Sequence, residues 1–167
     1  MMLPKQFDEN EIFILVSLCV VYYLLFRLRK KLPFSIILLI MLFASTVGRL
    51  SDHLLSGPTI DLYDISDSGK YDLFDLLTYV LYGPFAYFLV LLFIKKELKG
   101  YRVVLFFLLT AFGGVLYEGL SAMFELFTYK GWKLSYSFSY YLFVQPLTIL
   151  FYLFIQSQHE KLQYSSQ

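Results

Sequence analysis

The sequence predicts an all-α fold: a polytopic membrane protein whose five transmembrane helices form one bundle. Three observations predict it. Five long apolar segments, Ile12–Phe26, Phe34–Gly48, Leu73–Ile94, Val103–Phe127 and Phe138–Ile155, fill most of the 167 residues. The composition is 58% hydrophobic and only 16% charged, against roughly 25% charged in soluble domains. A single soluble core of this size has no room for so much apolar surface, whereas lipid solvates the outside of a helix. Finally, the charges between the segments change sign from one gap to the next.

Crossing roughly 30 Å of hydrocarbon takes about 20 mostly apolar residues in a helix. The first helix is placed over 11–28. An acidic leader, Asp8-Glu9-Asn10-Glu11, precedes it and the basic run Arg27-Leu28-Arg29-Lys30-Lys31 follows. That is the reverse of a cleaved signal peptide, so this segment is expected to be a retained span. The second helix, 33–55, opens at Pro33. Between charges these two are the short segments, and snorkelling flanks with local thinning extend them. The third, 72–95, carries Gly83-Pro84 at its middle, where proline removes a backbone donor and frees a carbonyl. The fourth, 102–127, contains Gly113-Gly114, small enough for close approach of a neighbour. The fifth, 137–157, contains Pro146.

Between helices two and three, residues 56–71 form the longest loop. Its Ser56-Gly57-Pro58 and Asp64-Ile65-Ser66-Asp67-Ser68-Gly69 stretches are turn chemistry, so a surface loop or a short interfacial helix is expected. The loop before helix five holds Trp132, the only tryptophan. Trp and Tyr favour the headgroup level, where an apolar ring has a wet edge. Most of the 15 tyrosines read as such anchors or as packing.

Basic residues collect in cytoplasmic loops near span ends. Arg27, Arg29, Lys30 and Lys31, then Lys95, Lys96, Lys99 and Arg102, then Lys161 put nine of fourteen on one side. The other side holds most of the acids. The expected topology has the N-terminus outside, the C-terminus cytoplasmic and the plasma membrane as location, with the lipid bilayer as first partner.

The lone Cys19 excludes an intramolecular disulfide. A net charge of +1 argues against nucleic acid as a partner. No Gly-rich phosphate loop, CxxC pair or HExxH helix is present, and no cofactor is implied.

Charges inside a span cost roughly 2.5–3.5 kcal/mol at the helix centre on insertion scales, so they face protein or water. Residues three and four apart share a helix face. Arg49, Asp52 and His53 therefore project together from helix two. Asp75 opens helix three, with Thr78, Tyr79 and Tyr82 following. Gly114, Glu118, Ser121 and Glu125 form one stripe on helix four. Arg49, Asp52, His53, Asp75, Glu118 and Glu125 are the candidate ligand-binding residues, lining one polar pocket open to the outside. The occupant would be an ion, a proton or a small polar ligand. Imidazole and carboxylate also suit divalent metals, although carboxylates on different helices make no spacing signature. The competing interpretation is a purely structural network in which Arg49 neutralises Glu118 or Asp75 and fixes helix register.

Tyr117-Glu118-Gly119 and the run Gly131-Trp132-Lys133-Leu134-Ser135-Tyr136-Ser137 carry a resemblance. An acid in span four, a Gly-Trp pair and an aromatic-Ser step opening the last span resemble a group of small five-span membrane proteins of Gram-positive spore-forming bacteria. The resemblance covers about half the chain. It implies the five-helix architecture and a plasma-membrane location, implies no activity, and marks Glu118, Gly131, Trp132 and Ser137.

Three functional classes follow. One is a sensor or transport-type component that binds an ion or small polar ligand in the outer pocket. Another is a non-catalytic accessory subunit of a membrane complex, or a homo-oligomer, with a closed polar network. The third is an intramembrane enzyme with His53 as general base. Spacing places no nucleophile beside His53, Ser51 being two residues away, so catalysis is the least supported.

Overall fold

The computed structural model describes residues 7–28, 32–57, 59–65, 73–96 and 98–165. Arg29, Lys30 and Lys31 and loop residues 66–72 lie outside the described residues. Five helices, α1 (Glu9–Leu28), α2 (Phe34–Leu55), α3 (Leu73–Lys96), α4 (Tyr101–Met123) and α5 (Leu134–Ser165), are all long and apolar enough to cross a membrane. The chain is an all-α bundle of membrane-length helices. Its outer surface is what lipid requires: Val104, Leu108, Leu109, Phe112 and Leu116 make an exposed apolar stripe along α4. Such a face is unfavourable in water and well solvated by acyl chains.

α3 is the central helix. Half of its apolar span is buried, against 11% for α4. It packs on α1 and α2, and α5 packs on α2, α3 and α4. The main core joins Ile36 and Ile40 of α2, Ala86 and Val90 of α3, and Ile149 and Tyr152 of α5. A second cluster sets Leu25 and Ile37 against Tyr87, whose hydroxyl donates to the Leu28 carbonyl at 2.7 Å and satisfies a helix-end acceptor.

Local chemistry explains the helix ends and the bends. Glu11 reaches back so that Oε2 accepts the Asp8 N–H at 2.7 Å, as in a capping box. Pro84 sits inside an unbroken α3 and deprives the Val80 carbonyl of its usual donor. The Tyr22 hydroxyl of α1 supplies one at 3.2 Å. Just before it, the Tyr79 carbonyl accepts from Ser45 Oγ of α2 at 2.8 Å.

Between the helices the structure departs from the expected surface loop. A short strand, β1 (Tyr63–Ile65), pairs antiparallel with β2 (Phe127–Tyr129), Tyr63 opposite Tyr129. The Leu62 carbonyl accepts the N–H groups of Lys130, Gly131 and Trp132 at 2.9, 2.9 and 3.0 Å. Lys130 bridges Asp61 at 2.8 Å and Asp64 at 3.0 Å. This two-stranded sheet ties the α2–α3 connection to the α4–α5 connection across one end of the bundle, here called the hairpin end.

β2 also explains why α4 stops at Met123, before the apolar segment does. Glu125 takes a left-handed backbone, φ 55°. The Leu126 N–H bonds the Ser121 carbonyl, and the Glu125 N–H bonds that of Ala122. These two bonds define a Schellman cap with Glu125 at its left-handed position. Leu126 then turns inward to pack on Ile14 and Phe74.

Candidate ligand-binding site

A cavity of about 420 Å³ lies between α2, α3, α4 and α5 under the hairpin. Its walls follow from helical geometry. α2 contributes Ala44, Val47, Gly48, Ser51, Asp52 and Leu55, a spacing of three and four repeated over twelve residues. α4 repeats it from Thr110 to Ser121 and α5 from Ser137 to Thr148, while α3 presents Thr78 to Leu92. At 1.5 Å per residue the α2, α4 and α5 stripes are each about 16 Å long. Apolar groups line most of the wall, and the carboxylates lie toward the hairpin end.

Glu118 is the most heavily bonded group there. Oε1 accepts from the Tyr129 hydroxyl at 2.8 Å and from Ser137 Oγ at 2.5 Å, and Oε2 accepts from Tyr141 at 2.7 Å. Trp132 Nε1–H donates in turn to Ser137 Oγ at 2.7 Å, so Trp132, Ser137 and Glu118 form one directed chain. Gly114, one turn before Glu118, makes this geometry accessible: a Cβ there would stand 3.1 Å from the Tyr141 ring. Gly48 does the same for Tyr82, whose ring occupies the place a Cβ would take.

Asp52 is the second carboxylate. Its Oδ1 accepts from the Tyr63 hydroxyl at 2.6 Å, and the Tyr82 hydroxyl approaches the same group. Oδ2 is buried with no hydrogen-bond partner among the described residues. Asp75 and Glu118 are close enough to act on Asp52 electrostatically. The two hairpin tyrosines remain protonated donors. Burial first, then the neighbouring Asp52 charge, raises the Tyr63 hydroxyl well above its ordinary range. Burial and Glu118 raise Tyr129 in the same direction.

Of the six carboxylate and basic residues predicted from spacing, the structure brings Asp52 and Glu118 into one cavity. The other four are not among its lining residues. Arg49 is exposed, its guanidinium 5.4 Å from the Tyr79 ring centroid. His53 is exposed on the α2 face beside Asp52, because consecutive helical residues point about 100° apart. Asp75 is buried in the first turn of α3 outside the cavity wall. Glu125 falls past the end of α4 at the cap, so the expected four-residue stripe closes at Ser121. Among the described residues no three His, Cys, Asp or Glu side chains are grouped to share a metal ion.

Apart from Ser137, which the resemblance marks, the hydroxyl donors are what sequence reasoning missed. Ser137, Tyr140, Tyr141, Gln145 and Thr148 form a polar stripe of helical period in an otherwise apolar segment, a signal that was available. Tyr63 gave none, since it reaches Asp52 from β1, a three-residue strand too short to show a pattern. Comparison with protein-family models, with curated proteins and with solved structures finds no match.

Proposed function

We propose that this chain is a non-catalytic ligand-binding membrane protein, a sensor or transport-type component. Its ligand places a polar end against Asp52 and Glu118 and an apolar body along the α2–α5 stripes. The observation that carries this reading is Asp52 Oδ2: a buried acceptor that, although the Tyr82 hydroxyl approaches its carboxylate, has no hydrogen-bond partner among the described residues, at the polar end of a cavity of about 420 Å³. An unsatisfied buried acceptor costs roughly 1–3 kcal/mol, and a donor on a ligand removes that penalty. The volume falls within the roughly 300–1,000 Å³ typical of small-molecule sites. By the charge distribution of the loops, the hairpin end faces outside the cell.

A second reading has its own observation. Both oxygens of Glu118 are saturated by hydroxyls of the protein itself, which suits a structural network in an accessory subunit.

Melting temperatures of the detergent-purified protein, with sodium, potassium, butylamine and dodecylamine as probes, separate the two. The binding reading expects dodecylamine to raise the melting temperature of the parent and not of Asp52→Asn. The accessory reading expects no probe to act, while Glu118→Gln alone lowers stability.

A further inference from the structure

The location of the exposed wall residues of the cavity is specific. Only Phe85, Leu92 and Gly113 among the lining residues are exposed. The first two are on α3 and the third on α4. These helices are consecutive in the chain, yet their backbones barely approach one another.

Side chains span the gap at two levels. Toward the hairpin end the Phe85 and Tyr117 rings lie 4.8 Å apart, and Phe13 of α1 packs against Tyr117 at 5.9 Å. Toward the other end Phe93 meets Phe106 at 5.8 Å and Phe107 at 6.4 Å. Between the two levels stand Leu92 and Gly113. A Cβ built on Gly113 meets nothing within 4 Å. Gly113 is also midway along α4, a helix long and apolar enough to cross a membrane.

We infer that this gap is a lateral window through which the cavity takes a single-chain amphiphile with a cationic, N–H-bearing head directly from the bilayer. The inference rests on the ligand-binding reading above and names its ligand class and route. A window at mid-membrane admits only what is already dissolved in lipid. Head chemistry follows from the polar end. Two carboxylates line it, and among the described residues no Lys, Arg or His side chain lines the cavity. An anionic head would add a third negative charge in a low-dielectric site, whereas an ammonium neutralises one and donates to Asp52 Oδ2. The rings of Tyr63, Tyr82, Tyr141 and Trp132 present further favourable surface to a cation. The cavity is too small for a two-chain lipid, and stripes about 16 Å long suit one extended alkyl chain.

The test uses the full chain in phosphatidylcholine nanodiscs, with Trp132 emission as the readout because this sole tryptophan lines the polar end. Stopped-flow mixing with dodecylamine gives on-rate and Kd for the parent, Gly113→Ala and Gly113→Phe. Gly113→Ala adds one methyl to open space and controls for helix integrity. The expected result is an on-rate at least tenfold slower for Gly113→Phe, parent-like for Gly113→Ala, and at least tenfold weaker binding of dodecyl phosphate than of dodecylamine by the parent. Parent-like kinetics in Gly113→Phe would overturn the window while leaving the binding site standing. Equal or tighter binding of dodecyl phosphate would overturn the cationic head. If neither amphiphile binds the parent, the ligand-binding reading itself fails.

Discussion

Asp52 of α2 and Tyr63 of β1 are joined by a 2.6 Å hydrogen bond from the tyrosine hydroxyl to Oδ1. The bond links a helix of membrane-spanning length to a strand of the connecting hairpin, and it anchors the hairpin over the polar end of the cavity. Tyr63 also stands edge-on to Trp132 at 5.7 Å, and the other strand reaches the second carboxylate, Tyr129 donating to Glu118.

Tyr63→Phe removes that donor and leaves Asp52 buried with less compensation. Hydrogen bonds to charged groups contribute about 1.5–3 kcal/mol, and an unfolding free energy lower by that amount is expected in detergent. Trp132 emission should shift to the red as water reaches the loosened hairpin. A change below about 0.5 kcal/mol would mean that the strand pairing alone holds the lid.

Glu118→Gln keeps one acceptor oxygen but sets an amide N–H₂ against a hydroxyl that now donates. Three donors converge on this carboxylate, so a loss of about 1–3 kcal/mol is expected. Tyr141→Phe, which removes one donor of the three, should cost less. Equal effects of the two substitutions would count against convergence on Glu118.

The glycines should separate by the space around them. Gly48→Ala drives a methyl into the Tyr82 ring, and overpacking of that kind costs about 1–3 kcal/mol. Gly114→Ala asks Tyr141 to yield by a few tenths of an ångström and should cost less. Gly113→Ala meets open space and gains helix propensity, so it should be neutral or stabilising. Melting temperatures in the order Gly113→Ala, Gly114→Ala, Gly48→Ala, highest first, are the expected outcome.

Glu125→Gly relieves a left-handed backbone at the α4 cap. A gain of about 0.5–1 kcal/mol in stability is expected, since glycine takes this conformation without a Cβ clash. A loss would mean that the Glu125 side chain contributes more than the strain removes. Chemical unfolding of the purified protein measures it.

Much of this architecture was legible in the chain. Apolar length alone gave five helices, because lipid demands about 20 such residues per crossing and little else in 167 residues supplies them. Spacing also grouped Glu118 with Gly114 and Ser121 correctly. It failed where a periodic pattern was extended past its helix: nothing in the apolar run Leu120–Phe127 announces that β2 captures its last residue. It failed again on α2, where Arg49, Asp52 and His53 share a sector but only Asp52 turns to the cavity. Which way a helix is rotated is decided by partners far along the chain, here Tyr63 and Tyr82. Three-residue strands lie below what alternation can reveal, and β1 and β2 are joined across more than sixty residues.

The arrangement of helices has a mechanical consequence. α5 touches α2, α3 and α4 through its backbone and acts as the spine of a book, with α2 and α3 as one leaf and α4 as the other. Ring contacts between α3 and α4 hold the fore-edge at two levels. Parting the leaves exchanges these aromatic contacts for lipid and leaves the backbone packing of α5 on α2, α3 and α4 in place, which makes the width of the fore-edge a soft dimension of the molecule. The hairpin is a clasp at one corner of that edge, and its hold on Asp52 ties the stiffness of the whole to what occupies the space between the leaves.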